Sequence, residues 1–298
     1  MINTTESVAV IGLGRMGSAM ARRFHAAGLR LTLWNRSREK AEALSHELAG
    51  ANVADTPAAA SAEANVVVTS LADDAAVSRV YLTEDGVVKG LQSESVAVDT
   101  STIDPTTVLE VAAAFEEHGK AGFLDCPVSG SVATVESGGL TVMAGGDPQL
   151  VDRVDPVLSA IASNVIRVGP LGNGAACKLA VNALVHGLNV ALSEALVLAE
   201  RAGVHRDVAY EVFASGAASA PFVLYKREAY LDPEHAPVAF TLNLVAKDLE
   251  LITGLAGRVN APMSQANAGL ELVQKAVAQG LGEEDLSAIA VYLRGSSG

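Results

Sequence analysis

Lys178 and Asn182 stand four residues apart in AACKLAVNALVHGLNVALSEALVLAERA at 175–202, a stretch otherwise almost wholly apolar. On a helix that spacing puts both side chains on one face. A lysine in a buried helix is costly unless it is paired or its pKa shifts, and a shifted lysine is a useful acid or base. On these residues alone, a structural ion pair accounts for Lys178 as well as a proton-transfer role does. A more specific signal lies near the N-terminus, in VAVIGLGRMGSAMARRF at 8–24. Gly12, Gly14 and Gly17 form a G-x-G-x-x-G pattern directly after a strand pattern and at the opening of a helix pattern. The first glycine permits a tight turn, the second lets the backbone approach a pyrophosphate, and the third lets helix and strand pack closely. Leu13, Arg15 and Met16 complete the loop, and the helix start offers N–H groups and a positive dipole end to phosphates. The pattern implies dinucleotide binding.

The end of the next strand selects among dinucleotides. A site for NAD places Asp or Glu there to hold the ribose 2′-hydroxyl. Here the residues are Trp34, Asn35, Arg36 and Ser37, followed by Arg38. A carboxylate would repel the 2′-phosphate of NADP, whereas arginine pairs with it in bidentate fashion. Asn35 and Ser37 can add neutral hydrogen bonds. The turn reads as an NADP(H) site.

Positioning these groups falls to a strand–helix alternation over roughly the first 165 residues. Strands are expected at Val8–Ile11, Leu31–Trp34, Val66–Ser70, Val96–Asp99 and Gly122–Leu124, and again at Leu140–Ala144 and Val165–Val168. Helices are expected at Met16–Ala27, Arg38–Leu48, Asp74–Leu82, Pro105–His118 and Pro148–Ile161. From Gly174 onward the β-branched runs vanish, and helices are expected at 175–202, 206–214, 221–231, 242–256, 262–278 and 284–293. The fold class is therefore α/β: an N-terminal Rossmann-type, doubly wound parallel sheet, then an all-α C-terminal domain joined by a long central helix. The domains fall at 1–168, which binds NADP, and 169–298, which serves substrate and dimerisation, with GPLGNG at 169–174 as the hinge. The central helix has no polar face, which predicts burial on every side.

Composition narrows the rest. The 298 residues carry a net charge of −13, which argues against nucleic acid and against an anionic membrane surface. Aromatic residues make up only 4%, too few for a carbohydrate groove or a stacking surface. Two cysteines and six scattered histidines give no metal-ligand spacing, so no metal is expected. No stretch approaches 18 uninterrupted apolar residues and no signal peptide is evident, so a soluble, cytoplasmic protein is expected.

Five ordered blocks now resemble one family across nearly the whole chain. They are IGLGRMGSAMA at 11–21, DTSTIDP at 99–105, DCPVSGSVATVESGGLTVMAGG at 125–146, GNGAACKLAVNAL at 172–184 and KDLEL at 247–251. The sequence resembles the β-hydroxyacid dehydrogenases, which include 3-hydroxyisobutyrate dehydrogenase, tartronate semialdehyde reductase and the glyoxylate/succinic semialdehyde reductases. The resemblance implies that Lys178 is the proton donor and acceptor for the substrate oxygen, and that Asn182 helps hold substrate and lysine. It implies that Ser129, Gly130 and Ser131 bind the substrate carboxylate, a loop that the residues alone would leave as an ordinary turn. Leu71, Thr102 and Lys247 correspond to cofactor positions, Asp248 supports that site, and Phe240 lines the substrate pocket. A short hydroxy acid, interconverted with its semialdehyde or keto acid, is the expected substrate, and a homodimer or homotetramer the expected assembly.

The chain also departs from the family. NAD-using members carry an acid where Asn35 and Arg36 stand, so the NADP-preferring glyoxylate/succinic semialdehyde reductases look most alike. Many relatives have a second asparagine where this chain has Val181. Val132, Ala133 and Val135 offer no basic group for a second anion, which disfavours 6-phosphogluconate. An imine reductase of the same fold and a non-catalytic NADP-binding module are the competing expectations. The retained lysine counts against the first, and the lysine, asparagine and serine loop together count against the second.

Overall fold

The computed structural model describes residues 6–119 and 122–296. The chain divides into two units, 1–178 and 179–298. In chain order the first holds β1 (Ser7–Ile11), α1 (Arg15–Ala26), β2 (Arg30–Trp34), α2 (Arg38–Glu47), β3 (Asn52–Val53), α3 (Pro57–Ala62), β4 (Val66–Thr69) and α4 (Asp74–Leu82). It continues through α5 (Val87–Gly90), β5 (Val96–Asp99), α6 (Pro105–Glu117), β6 (Phe123–Asp125), β7 (Val128–Ser129), α7 (Val132–Glu136), β8 (Leu140–Gly145), α8 (Pro148–Leu158) and β9 (Ala162–Gly169). The long α9 (Asn173–Arg201) leads into α10 (Arg206–Ser215), α11 (Pro221–Tyr225), α12 (Arg227–Leu231), α13 (Leu242–Val259), α14 (Ser264–Ala276) and α15 (Ala288–Gly295).

The strands form one sheet in the order β3-β2-β1-β4-β5-β6-β8-β7, with β9 beside β8. β1 pairs in parallel with both β2 and β4, so the strand order reverses there and the C-terminal ends of β1 and β4 flank a switch point. Alternation along each strand feeds the sheet's two faces. Val8, Val10, Val66 and Val68 pack with Met20, Phe24 and Leu158, whereas Ala9, Ile11 and Val67 pack with Tyr81, Phe115 and Phe123. Burial on both faces is why these strands read as continuous apolar runs.

The parallel-dominated sheet agrees with the expected fold class, and within it β8 runs antiparallel to β6 and β7. The link from β7 to β8 holds little more than the short α7, less than the dozen or so residues that a parallel crossover needs. The 221–231 segment, expected as one helix, forms two, α11 and α12, that meet at Lys226. Lys226 is buried there, donating to both oxygens of Asp285 at 2.8 Å.

α9 also departs from burial on every side. Leu184, Ala191 and Leu198, seven residues apart, lie on its exposed side, the two leucines 68% and 72% exposed. By length and composition α9 could span a membrane. Its buried side, however, carries Asn182, His186, Asn189 and Ser193, all with partners inside the second unit. That side is built for a protein interior.

Candidate active site

The glycine loop follows β1 directly. Gly12 sits at φ +92°, and a Cβ there would meet the Ser70 carbonyl at 2.4 Å. A Cβ on Gly17 would lie 2.0 Å from the Gly12 carbonyl oxygen, so only glycine lets α1 begin this close to the strand. A Cβ on Gly14 would meet nothing within 4 Å. Among the described residues no side chain caps the start of α1. An open approach at Gly14 and an uncapped helix N-terminus fit a pyrophosphate. Leu13 is buried, Met16 half-buried, and Arg15 exposed.

Asn35 ties this loop to the end of β2: its Oδ1 accepts from Leu13 N–H at 3.0 Å, and its Nδ2 donates to the Ser37 carbonyl at 3.0 Å. The asparagine thus shapes the turn with the groups that the sequence offered to the ligand. Arg38 is held by Glu42 and Asp55. Arg36 and Ser37 are exposed, and among the described residues no carboxylate pairs with Arg36.

Beyond β4 and β5, a buried acid organises the next two loops. Asp99 Oδ1 accepts from Thr69 Oγ1 at 2.5 Å and from Ser101 Oγ at 2.8 Å. Ser101 Oγ in turn accepts from the Leu71 N–H at 2.9 Å. Leu71 and Thr102, both half-buried, are thereby held on loops at the sheet's C-terminal edge. Asp125, the register neighbour of Asp99, accepts from Gly172 N–H at 3.2 Å and Ala175 N–H at 2.9 Å. It caps the first turn of α9, the turn immediately before Lys178. Lys178 itself is half-buried.

Burial pushes both carboxyls up to about 6, against the hydrogen bonds that pull them down. The sign follows from the neutral form being favoured in the folded chain. The contribution of Asp99 to stability is fully present below its ordinary 3.8 and is lost as the pH rises through about 6. The shift of roughly two units corresponds to about 3 kcal/mol. Asp99→Asn should therefore gain stability relative to the parent chain between pH 4 and pH 7 in urea unfolding. A difference independent of pH across that window would remove the buried charge from the account.

The 129–131 loop leads into α7. Ser131 caps that helix: its Oγ accepts from Thr134 N–H at 3.3 Å, and its own N–H donates to Thr134 Oγ1 at 3.1 Å. Gly130 is exposed at φ +141°, and a Cβ there would strike Leu140 and Thr134. The Ser131 hydroxyl and N–H thus have internal partners, while Ser129 is half-buried and Gly130 presents its backbone at the surface.

In the second unit, one carboxylate gathers three groups. Asp248 Oδ2 accepts from Asn182 Nδ2 at 2.6 Å and lies 3.4 Å from His186 Nε2. Lys247 Nζ is 2.9 Å from Oδ1, an ion-pair distance, although Oδ1 accepts no aligned hydrogen bond among the described residues. Burial pushes the Asp248 carboxyl up, but His186 and Lys247 together overcome it and hold it below the usual range. Phe240 lies against His186, ring centroids 6.0 Å apart. Its backbone N–H reaches Asp285 Oδ2 at 3.3 Å, so the Lys226–Asp285 pair also anchors the 239–240 segment.

The first unit thus collects Gly12, Leu13, Gly14, Asn35, Leu71 and Thr102 on loops at one sheet edge, with Gly17 in the first turn of α1. The second collects Asn182, Lys247 and Asp248 directly, and Phe240 through His186. Sequence reasoning gave no role to Asp99, Asp125 or His186. The two acids stood inside quoted blocks, at the C-terminal ends of strands. His186 had a spacing signal, one turn beyond Asn182 and two beyond Lys178 on the same helix.

A phosphate-ready loop at the switch point of a doubly wound sheet, followed by an all-helical unit, defines a dinucleotide-binding protein. Residues 7–169 match the NAD binding domain of 6-phosphogluconate dehydrogenase, and residues 172–293 match the NAD-binding domain of NADP-dependent 3-hydroxyisobutyrate dehydrogenase. The chain is 32% identical over 290 residues to glyoxylate/succinic semialdehyde reductase 2 of Arabidopsis thaliana, spanning 97% of this chain and 80% of that protein. It is 34% identical over 294 residues to 3-sulfolactaldehyde reductase of Escherichia coli, spanning 98% and 97%. A 3-hydroxyisobutyrate dehydrogenase from Salmonella typhimurium superposes at a TM-score of 0.87, with 30% identity over 96% of this chain and 99% of that one. The chain belongs to the β-hydroxyacid dehydrogenase family of NAD(P)-dependent oxidoreductases.

Proposed function

We propose that this protein is an NADP(H)-dependent reductase and dehydrogenase that interconverts a short β-hydroxy acid and its semialdehyde or keto acid, with Lys178 as general acid and base. The observation that carries the reading is the placement of Lys178 on α9. It stands one turn after the Asp125-capped start and one turn before Asn182, itself fixed by Asp248. Residues 1–168 would serve as the NADP-binding domain and 169–298 as the substrate and dimerisation domain.

When bound, the cofactor supplies or accepts the hydride. The 12–17 loop and the N-terminus of α1 would hold its pyrophosphate, and Arg36 its 2′-phosphate. Lys178 would give its Nζ proton to the substrate oxygen in reduction and take it back in oxidation. Ser129 and the backbone around Gly130 would bind the carboxylate, and Asn182 would orient the reacting oxygen. The test is NADPH oxidation with glyoxylate, succinic semialdehyde, tartronate semialdehyde and methylmalonate semialdehyde. Turnover of none of these, together with turnover of a cyclic imine, would transfer the reading to imine reduction.

A cytoplasmic homodimer is part of the same proposal. The exposed Leu184, Ala191 and Leu198 row on α9 supports self-association, because an apolar stripe of that kind is stabilised by being covered. Sedimentation velocity should give at least twice the 30.5 kDa chain mass. Joint Leu184→Glu and Leu198→Glu substitution should shift the protein toward monomer. A parent chain that sediments as monomer at all concentrations would end that part of the proposal.

A further inference from the structure

α9 carries a row of polar side chains, Lys178, Asn182, His186, Asn189 and Ser193, spaced by four, four, three and four residues. The lower part of the row is satisfied structurally. Asn189 donates to the Leu286 carbonyl and accepts from Tyr230, while Ser193 donates to the Asn189 carbonyl. His186 is different. It is 3% exposed, its Nε2 is directed to Asp248 Oδ2, and its Nδ1 is buried with no hydrogen-bond partner among the described residues. A histidine used only to fill space would be replaceable by an apolar ring without leaving a bare nitrogen. The price of that nitrogen points to a task for the other one.

We infer that His186 is a positioning residue, which shares Asp248 Oδ2 with Asn182 and so fixes the Asn182 amide and the Lys247 ammonium in their working orientations. The inference rests on the reading that Asn182 holds substrate. Two donors on one oxygen leave Asp248 little freedom to rotate. On its other side the imidazole lies against Phe240, whose segment is tied to Asp285. His186 therefore couples the carboxylate to the expected pocket wall. Without the Nε2 donor, Asp248 can turn toward Lys247, and the 2.6 Å bond that aims Asn182 is weakened.

Two variants separate donation from packing. His186→Phe keeps a planar ring against Phe240 and removes the donor; His186→Gln keeps a donor near the Nε2 position and removes the ring. With NADPH and glyoxylate or succinic semialdehyde, His186→Phe should lose about tenfold to a hundredfold in kcat/KM, mostly through KM for the aldehyde acid, the worth of one hydrogen bond to a charged group. Its melting temperature should fall by a few degrees, because the buried Asp248 carboxylate loses one of its partners, so the kinetics are read well below the transition. His186→Gln should recover to within about threefold, the residue of an imperfectly placed donor. In the apo protein, imidazole 15N NMR should show the proton on Nε2 and a bare Nδ1. A His186→Phe enzyme with parental kinetics, a proton on Nδ1, or equal loss in both variants would each overturn the positioning role. Asn182→Ala is the control: if it too has parental kinetics, the substrate-holding reading fails along with the inference. If it is impaired while His186→Phe is not, only the inference fails.

Discussion

Lys178→Ala should lose about 10³-fold in kcat for carbonyl reduction while binding NADPH as tightly as the parent, within the 10²–10⁴ range that general acid–base groups supply. The split between the two quantities is the informative part. If Lys178 acts only on the developing oxyanion, its removal raises the barrier to the chemical step and leaves ground-state cofactor binding alone. Trp34, the chain's single tryptophan, ends β2 directly before the cofactor turn and offers a fluorescence reporter of NADPH binding that is independent of turnover. Asp125 makes a useful comparison. It touches the start of α9 rather than the expected substrate, so Asp125→Ala should lower stability and move kcat less than Lys178→Ala does. Parental turnover in Lys178→Ala would end the lysine mechanism, and the imine and binding-module alternatives would then separate on whether any carbonyl or imine substrate oxidises NADPH.

Much of this layout was legible because its causes are local. The glycine spacing, the strand before it and the helix after it are one turn's worth of chemistry, and each glycine meets the steric condition that its position suggested. The fully buried strands announced themselves as valine runs. Short elements such as β3, α3 and β7 carry too few residues for a period to show. Their formation is decided by neighbours, as when β3 takes its place only by pairing with β2. The antiparallel β8 was hidden for the same reason: strand direction depends on the length of the connection, and α7 is hard to read from five residues.

The site was legible in its parts and opaque in its wiring. Lys178 and Asn182 could be placed on one face by counting, whereas the acids that hold their surroundings could not. Asp99 and Asp125 reach their partners across the sheet, and Asp248 reaches Asn182 from a helix 66 residues away. Asn35 was legible as a residue of the cofactor turn, but its bracing was not: its Oδ1 holds the Leu13 N–H of the glycine loop and its Nδ2 holds the Ser37 carbonyl of its own turn.

That bracing bears on Arg36→Glu, which should raise KM for NADPH by about 10²–10³-fold and leave KM for NADH within severalfold of its starting value. Asn35 fixes the turn from within, and Arg38 is already occupied by Glu42 and Asp55, so Arg36 is the cation of the turn that is exposed and not paired with a carboxylate among the described residues. Losing a bidentate, charge-assisted contact accounts for about 1.5–3 kcal/mol. A carboxylate facing the doubly charged 2′-phosphate adds a repulsion of similar order, partly screened by salt at this exposed position. The same carboxylate can accept from the ribose 2′-hydroxyl of NADH, as acids at this place in NAD sites do. The effect should shrink as ionic strength rises, because half of it is repulsion between exposed charges. An unchanged ratio of the two KM values would remove Arg36 as the 2′-phosphate contact, and with it the support that the turn after β2 gives to the proposed NADP preference.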